Sequence, residues 1–151
     1  MTINAVAISD AIAALTVAGV TIKDASNIPL TVKTTDCPIF MPFLNGWLGA
    51  STGSPATETT FGTPTTRTWA VHRVLHYVYL HKQIISGTIG TKYEDAVAKV
   101  EAIWTAVSAL NVAGVDVENI THAEISELKD KAGNAFVGCL FDITVKEMIN
   151  P

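Results

Sequence analysis

Charge is sparse in this chain of 151 residues. Charged side chains make up 16% of it, where soluble domains average roughly 25%, and lysines and arginines nowhere form a run. Ten basic and fourteen acidic residues leave a net charge of −4. The electrostatic footprint of a nucleic-acid binder is therefore missing, and tight sequence-independent DNA binding is not expected. Cysteine is rarer still. Cys37 and Cys139 stand far apart with no Cys-x-x-Cys spacing, which points to neither a zinc site nor a redox pair and leaves two free thiols of a reducing cytoplasm as the expectation. No lysine or arginine occurs between Lys33 and Arg67, so the glycines of that interval cannot form a G-x-x-x-x-G-K-[ST] phosphate cradle. No cofactor is indicated.

Apolar residues are plentiful by contrast. The mean hydropathy is +0.33, more than one small core uses, and burial between subunits accounts for the excess. The length predicts a single domain over 1–151 whose core needs no disulfide or metal. The run from Ile3 to Ile22 precedes the first cationic side chain, Lys23. It lacks the basic start of a signal peptide, and as a membrane span it would carry Asp10 into the bilayer at a cost of about 2.5–3.5 kcal/mol. It reads instead as a helix over about Thr2–Ala18, with Ile8, Ala11, Ile12, Leu15 and Ala18 at helical spacing and Gly19 just past the end.

Two short β-rich runs follow, Ile28–Lys33 and Pro38–Leu44, whose Pro29, Pro38 and Pro42 favour sheet edges or bulges. The tract Asn45–Thr66 then carries one charge, Glu58. It is too long for a hairpin turn, since paired strands are usually joined by about 2–5 residues. Eight of the seventeen residues from Thr52 to Thr68 are threonine, and a projecting loop or a flattened hairpin arm both fit. From Arg67 to Lys82 the Val, Tyr, Trp and Leu content predicts a long strand, apolar on both faces over part of its length. Thr91-x-x-Glu94 is a capping box that opens a helix reaching about Asn111, with Tyr93, Val97, Val100, Trp104 and Val107 as its core stripe and Asp95–Lys99 as a pair at spacing four. A terminal hairpin is predicted: Ile120–Leu128, a turn at Lys129–Asn134 with Gly133, and Ala135–Glu147. The fold class is α+β, a mostly antiparallel sheet with two main helices packed on one face.

Candidate chemistry is thin. His72 and His76 would share a metal on a helix, but on a strand they stand roughly 13 Å apart, beyond common coordination. Cys37 beside Asp36 and Pro38 reads as packing before nucleophile. The carboxylate pairs Glu124 with Glu127 and Asp142 with Glu147 read as solvated hairpin faces. No enzyme is expected, and no catalytic, cofactor or metal residue is assigned. The aromatic and basic residues Trp47, Phe61, Arg67, Trp69, Arg73, Tyr77 and Tyr79 are the interface candidates, because rigid aromatics and arginines anchor contacts. Packing of Trp69 and the two tyrosines under a helix is the competing reading.

With DCPIFMPFL ahead of the long tract, Arg67, Trp69, Val71 and Arg73 alternating on one strand, a capped helix and a closing LFDITVKEM, the chain resembles the tail terminator or tail completion proteins of long-tailed bacteriophages. The resemblance implies a structural α+β subunit of a homohexameric ring that caps the tail tube, stops its polymerisation and meets a head connector or neck protein. DNA would only pass through its bore. It also implies a place in the virion after assembly in the host cytoplasm, with no membrane contact. Another neck or tail tube protein is the nearest alternative. A small ligand-binding or enzymatic domain with His72 and His76 lining a cleft, or a module that adds a strand to a partner, are the others.

Overall fold

The computed structural model describes residues 5–24, 32–42, 57–61, 68–83, 90–113, 115–130 and 133–149. Two helices, α1 (Ala5–Ala13) and α2 (Gly90–Ser108), accompany seven strands: β1 (Thr21–Ile22), β2 (Ile39–Pro42), β3 (Thr57–Phe61), β4 (Thr68–Gln83), β5 (Val115–His122), β6 (Ser126–Lys129) and β7 (Ala135–Ile149). The protein is α+β, and the described strands form one mixed sheet. β1 lies parallel to β2, and the remaining pairings are antiparallel.

The sheet is built on two long strands. β4 and β7 pair from Trp69↔Ile149 to Gln83↔Phe136, with one register shift between Leu80 and Lys82. Each outer edge of this pair is shared by two short strands. β2 lies against residues 77–80 of β4 and β3 against residues 68–72, while β6 lies against residues 135–138 of β7 and β5 against residues 141–147. Alternation along β4 follows from its β-branched and aromatic content, which suits a pleated surface buried on at least one side.

One buried cluster joins Ile8 and Ile12 of α1 and Ala96, Val100, Ile103 and Val107 of α2 to Phe40, Tyr77, Tyr79, Cys139, Phe141, Ile143 and Val145. Phe40 sits at its centre, stacked on Tyr77 at 4.9 Å and edge-on to Phe141 at 5.2 Å. A second cluster occupies the other side of the same strands, where Ile39, Met41, Val78, Leu80 and Phe136 are buried with Val32. Phe40 falls between Ile39 and Met41, so period two sends these neighbours to opposite clusters.

Several expectations are corrected here. The first helix ends at Ala13, not Ala18, because the chain tightens through Leu15 N–H to the Ile12 carbonyl and then turns at Val17–Val20. The buried stripe of α2 is Ala96, Val100, Ile103 and Val107, which leaves Tyr93 and Trp104 exposed. Both stripes satisfy helical spacing, but small Ala96 lets the helix approach the sheet where a tyrosine would hold it off. Asp95 and Lys99 turn to other partners: Asp95 to His81 at 3.3 Å, and Lys99 Nζ to the Ala18 carbonyl at 2.8 Å. The strand expected over Ile120–Leu128 is two strands broken at Ala123–Ile125, the first starting at Val115. Residues 34–36 form a 3₁₀ turn, and the strand expected over Ile28–Lys33 falls mostly outside the described residues.

Candidate functional site

The tract between Asn45 and Thr66 is more than a loop. Residues 57–61 form β3 and fold back on β4, pairing Thr57 with His72 and Phe61 with Thr68. Trp47 and Arg67 lie outside the described residues. Phe61 and Trp69 are placed by their backbones alone, Phe61 opposite Thr68 and Trp69 between Thr60 and Ile149. Arg73 is half-buried opposite Val145. Tyr77 and Tyr79 are not surface anchors. Both are buried in the cluster that contains residues of α1 and α2, which Leu75, Tyr77 and Tyr79 of β4 face.

Their phenols are held by neighbours. Tyr77 Oη donates to Ser9 Oγ at 3.3 Å, and burial raises its pKa. Burial likewise raises the pKa of Tyr79, with the Asp95 carboxylate adding to it, so its O–H stays protonated and donates to His81 Nδ1 at 2.7 Å. His81 Nε2–H then points to Asp95 Oδ2 at 3.3 Å. This tautomer leaves the imidazole neutral, and burial lowers the His81 pKa below its ordinary value despite Asp95.

The even positions of β4 and β7 carry a second set of titratable side chains. His76 Nδ1 lies 2.7 Å from Oδ1 of Asp142, its direct cross-strand partner, and His72 Nδ1 lies 2.9 Å from Glu118 Oε2 on β5. His76 Nε2 is buried without a hydrogen-bond partner. The two imidazoles thus belong to separate carboxylates, as strand spacing requires, and no group of three His, Cys, Asp or Glu able to hold a metal occurs among the described residues. Of the other carboxylates singled out in the sequence, Glu127 faces Lys129 at 3.8 Å on the exposed hairpin, where such a pair contributes little.

Neither cysteine is poised as a nucleophile. Burial and then the adjacent Asp36 push the Cys37 thiol up to about 11, and burial pushes Cys139 up to about 12. Both are therefore thiols near neutrality. The sequence also holds Gly49-Ala50-Ser51-Thr52-Gly53, the spacing of a nucleophile elbow, outside the described residues.

No protein-family model and no curated protein matches the chain.

Surface features that sequence reading missed lie along α2. Tyr93 and Trp104 are 49% and 44% exposed. They flank a groove between α2 and the β5–β6 edge, with one depression of about 400 Å³ at Tyr93, Val97, Glu101 and Ile125. A second, of about 320 Å³, continues it at Glu101, Trp104 and His122. The signal available in the sequence was the small Ala96, which fixes the buried stripe and turns both aromatics outward. Among the described residues no helix is long and apolar enough to cross a membrane.

Proposed function

We propose that the chain is a structural virion protein of the tail-terminator kind. It is a subunit of a homohexameric ring that caps the tail tube of a long-tailed bacteriophage, halts tube growth and meets the head connector or neck protein. It acts without enzymatic chemistry or a cofactor, is assembled in the host cytoplasm, and lets DNA pass through the ring. In this reading the sheet is mostly antiparallel and keeps both helices on one face, which leaves its edges to neighbouring subunits.

The supporting observation is the hairpin arm. β3 has a pairing partner on the β4 side only among the described strands, so its far edge offers backbone donors and acceptors to another chain. The interface candidates Phe61, Arg67 and Trp69 cluster in sequence where β3 returns to β4. The opposite border of the sheet is β5, a different surface. Two unlike borders suit head-to-tail contacts, which close into a ring when the rotation per subunit divides a full turn.

Native mass spectrometry of the purified protein, alone and after mixing with tail tubes, tests this. A ring, or a ring formed on tube ends, is the expected result. A protein that stays monomeric and never associates with tubes would overturn the proposal, and filaments of the isolated protein would indicate a tube subunit instead. Removal of Thr57–Phe61 is expected to leave a folded monomer by far-UV circular dichroism while abolishing assembly.

A further inference from the structure

The groove beside α2 has a chemistry of its own. It runs from Tyr93 past Glu101 and Trp104 to Ser108. Those fifteen helical steps cover about 22 Å at roughly 1.5 Å per residue. An extended chain at about 3.3 Å per residue spans that length in six or seven residues. Val97 and Ile125 supply an apolar floor near one end. The carboxylates Glu101, Glu124 and Glu118 line its length, and no lysine or arginine is among the described lining residues. Lys99 of the same helix is turned to the Ala18 carbonyl.

The far wall of the groove is the border strand of the sheet. β5 is paired with β7 on one side and ends the strand order. Trp104 Nε1 donates to the Ile120 carbonyl of β5 at 3.2 Å. A backbone acceptor of this border therefore already receives an N–H from the groove side, in the way it would receive one from an added strand.

We infer that the groove between α2 and β5 takes an extended, lysine- or arginine-bearing segment of a partner protein. The aliphatic stems lie along Val97 and Ile125, as long cationic side chains do on apolar surface. Their charged heads meet Glu101 and Glu124, and the exposed faces of Tyr93 and Trp104 attract the same cations. The segment would bind the free subunit, and in a head-to-tail ring it would compete with the neighbouring subunit for the β5 border.

The test is titration of the full-length, ¹⁵N-labelled protein with a capped heptapeptide alternating Lys and Val, beside a twin carrying Glu for Lys. The basic peptide is expected to give saturable amide shifts confined to residues 93–108 and 117–125. Added salt weakens that binding by screening exposed charges. The double substitution Glu101→Gln with Glu124→Gln is expected to weaken it about fivefold, the size of losing two exposed charge contacts. Equal binding of the acidic twin, or shifts mapping elsewhere, would overturn the inference. So would self-association of the free protein that Trp104→Ala abolishes, since the occupant would then be a second copy. Both glutamates are exposed, and an unchanged dispersion of the amide spectrum verifies the fold of the variant. The two peptides on the unmodified protein decide the matter without it.

Discussion

Gly138 has little freedom to change. A Cβ there would stand 2.1 Å from the Tyr79 carbonyl oxygen and 3.2 Å from Leu80 Cα, both backbone atoms of the paired strand. Gly138→Ala must therefore push β4 from β7, and a loss of about 1–3 kcal/mol is expected in denaturant unfolding. His81 governs a different response. Its pKa is lowered in the folded protein, so below the ordinary value of 6.5 the unfolded chain takes up a proton that the folded chain refuses. Its contribution to stability is complete above that pH and is lost as pH falls through the lowered folded value. Unfolding free energies measured between pH 7.5 and 5 should fall toward acid, and His81→Phe should flatten that dependence. These two residues also mark what sequence could not convey. Gly138 stands within a regular alternation with no local sign of its burial, yet it is covered by a carbonyl from a strand some sixty residues earlier in the chain. His81 reads as isolated because its partners, Tyr79 and Asp95, meet only when α2 folds over β4.

At the scale of elements, local chemistry was a better guide than side-chain pattern. α2 runs from Gly90 to Ser108, so that Thr91 lies inside it and not at its cap, and it stops short of Asn111. Even so, the long strand, the second helix and the closing hairpin were all legible, because Val- and Tyr-rich runs, a helical apolar period and a Gly133 turn each have local causes. The turn shows why. Asp130 accepts the Asn134 backbone N–H at 2.8 Å and the Asn134 side-chain amide at 3.0 Å, and Gly133 takes a φ of 86°. Asp130 is itself buried, so Asp130→Ala would remove both acceptors inside the turn. A loss of about 1–3 kcal/mol is expected from thermal melting. Which face of α2 is buried could not be read, because Tyr93 and Trp104 fit the helical period as well as Ala96 and Ile103 do. The choice rests on how closely the helix must approach the sheet. The interface candidates divide for a related reason. Aromatic content predicted contacts for Tyr77 and Tyr79, and the contacts exist, but with the protein's own helices.

For the molecule as a whole, the β4–β7 pair is the frame on which every other described strand is hung, directly or through β2. Its fourteen residue pairs run from Trp69↔Ile149 at one end to Gln83↔Phe136 at the other. In such an antiparallel ladder the direction of a load decides how it is shared. Tension between positions 69 and 149 opens the ladder from one end, and only the outermost hydrogen bonds resist at any moment. Tension between positions 69 and 136 slides one strand along the other and loads the whole ladder at once. The same sheet is therefore compliant to peeling and stiff to shear, and a partner that grips it along the strand axis meets its strongest resistance.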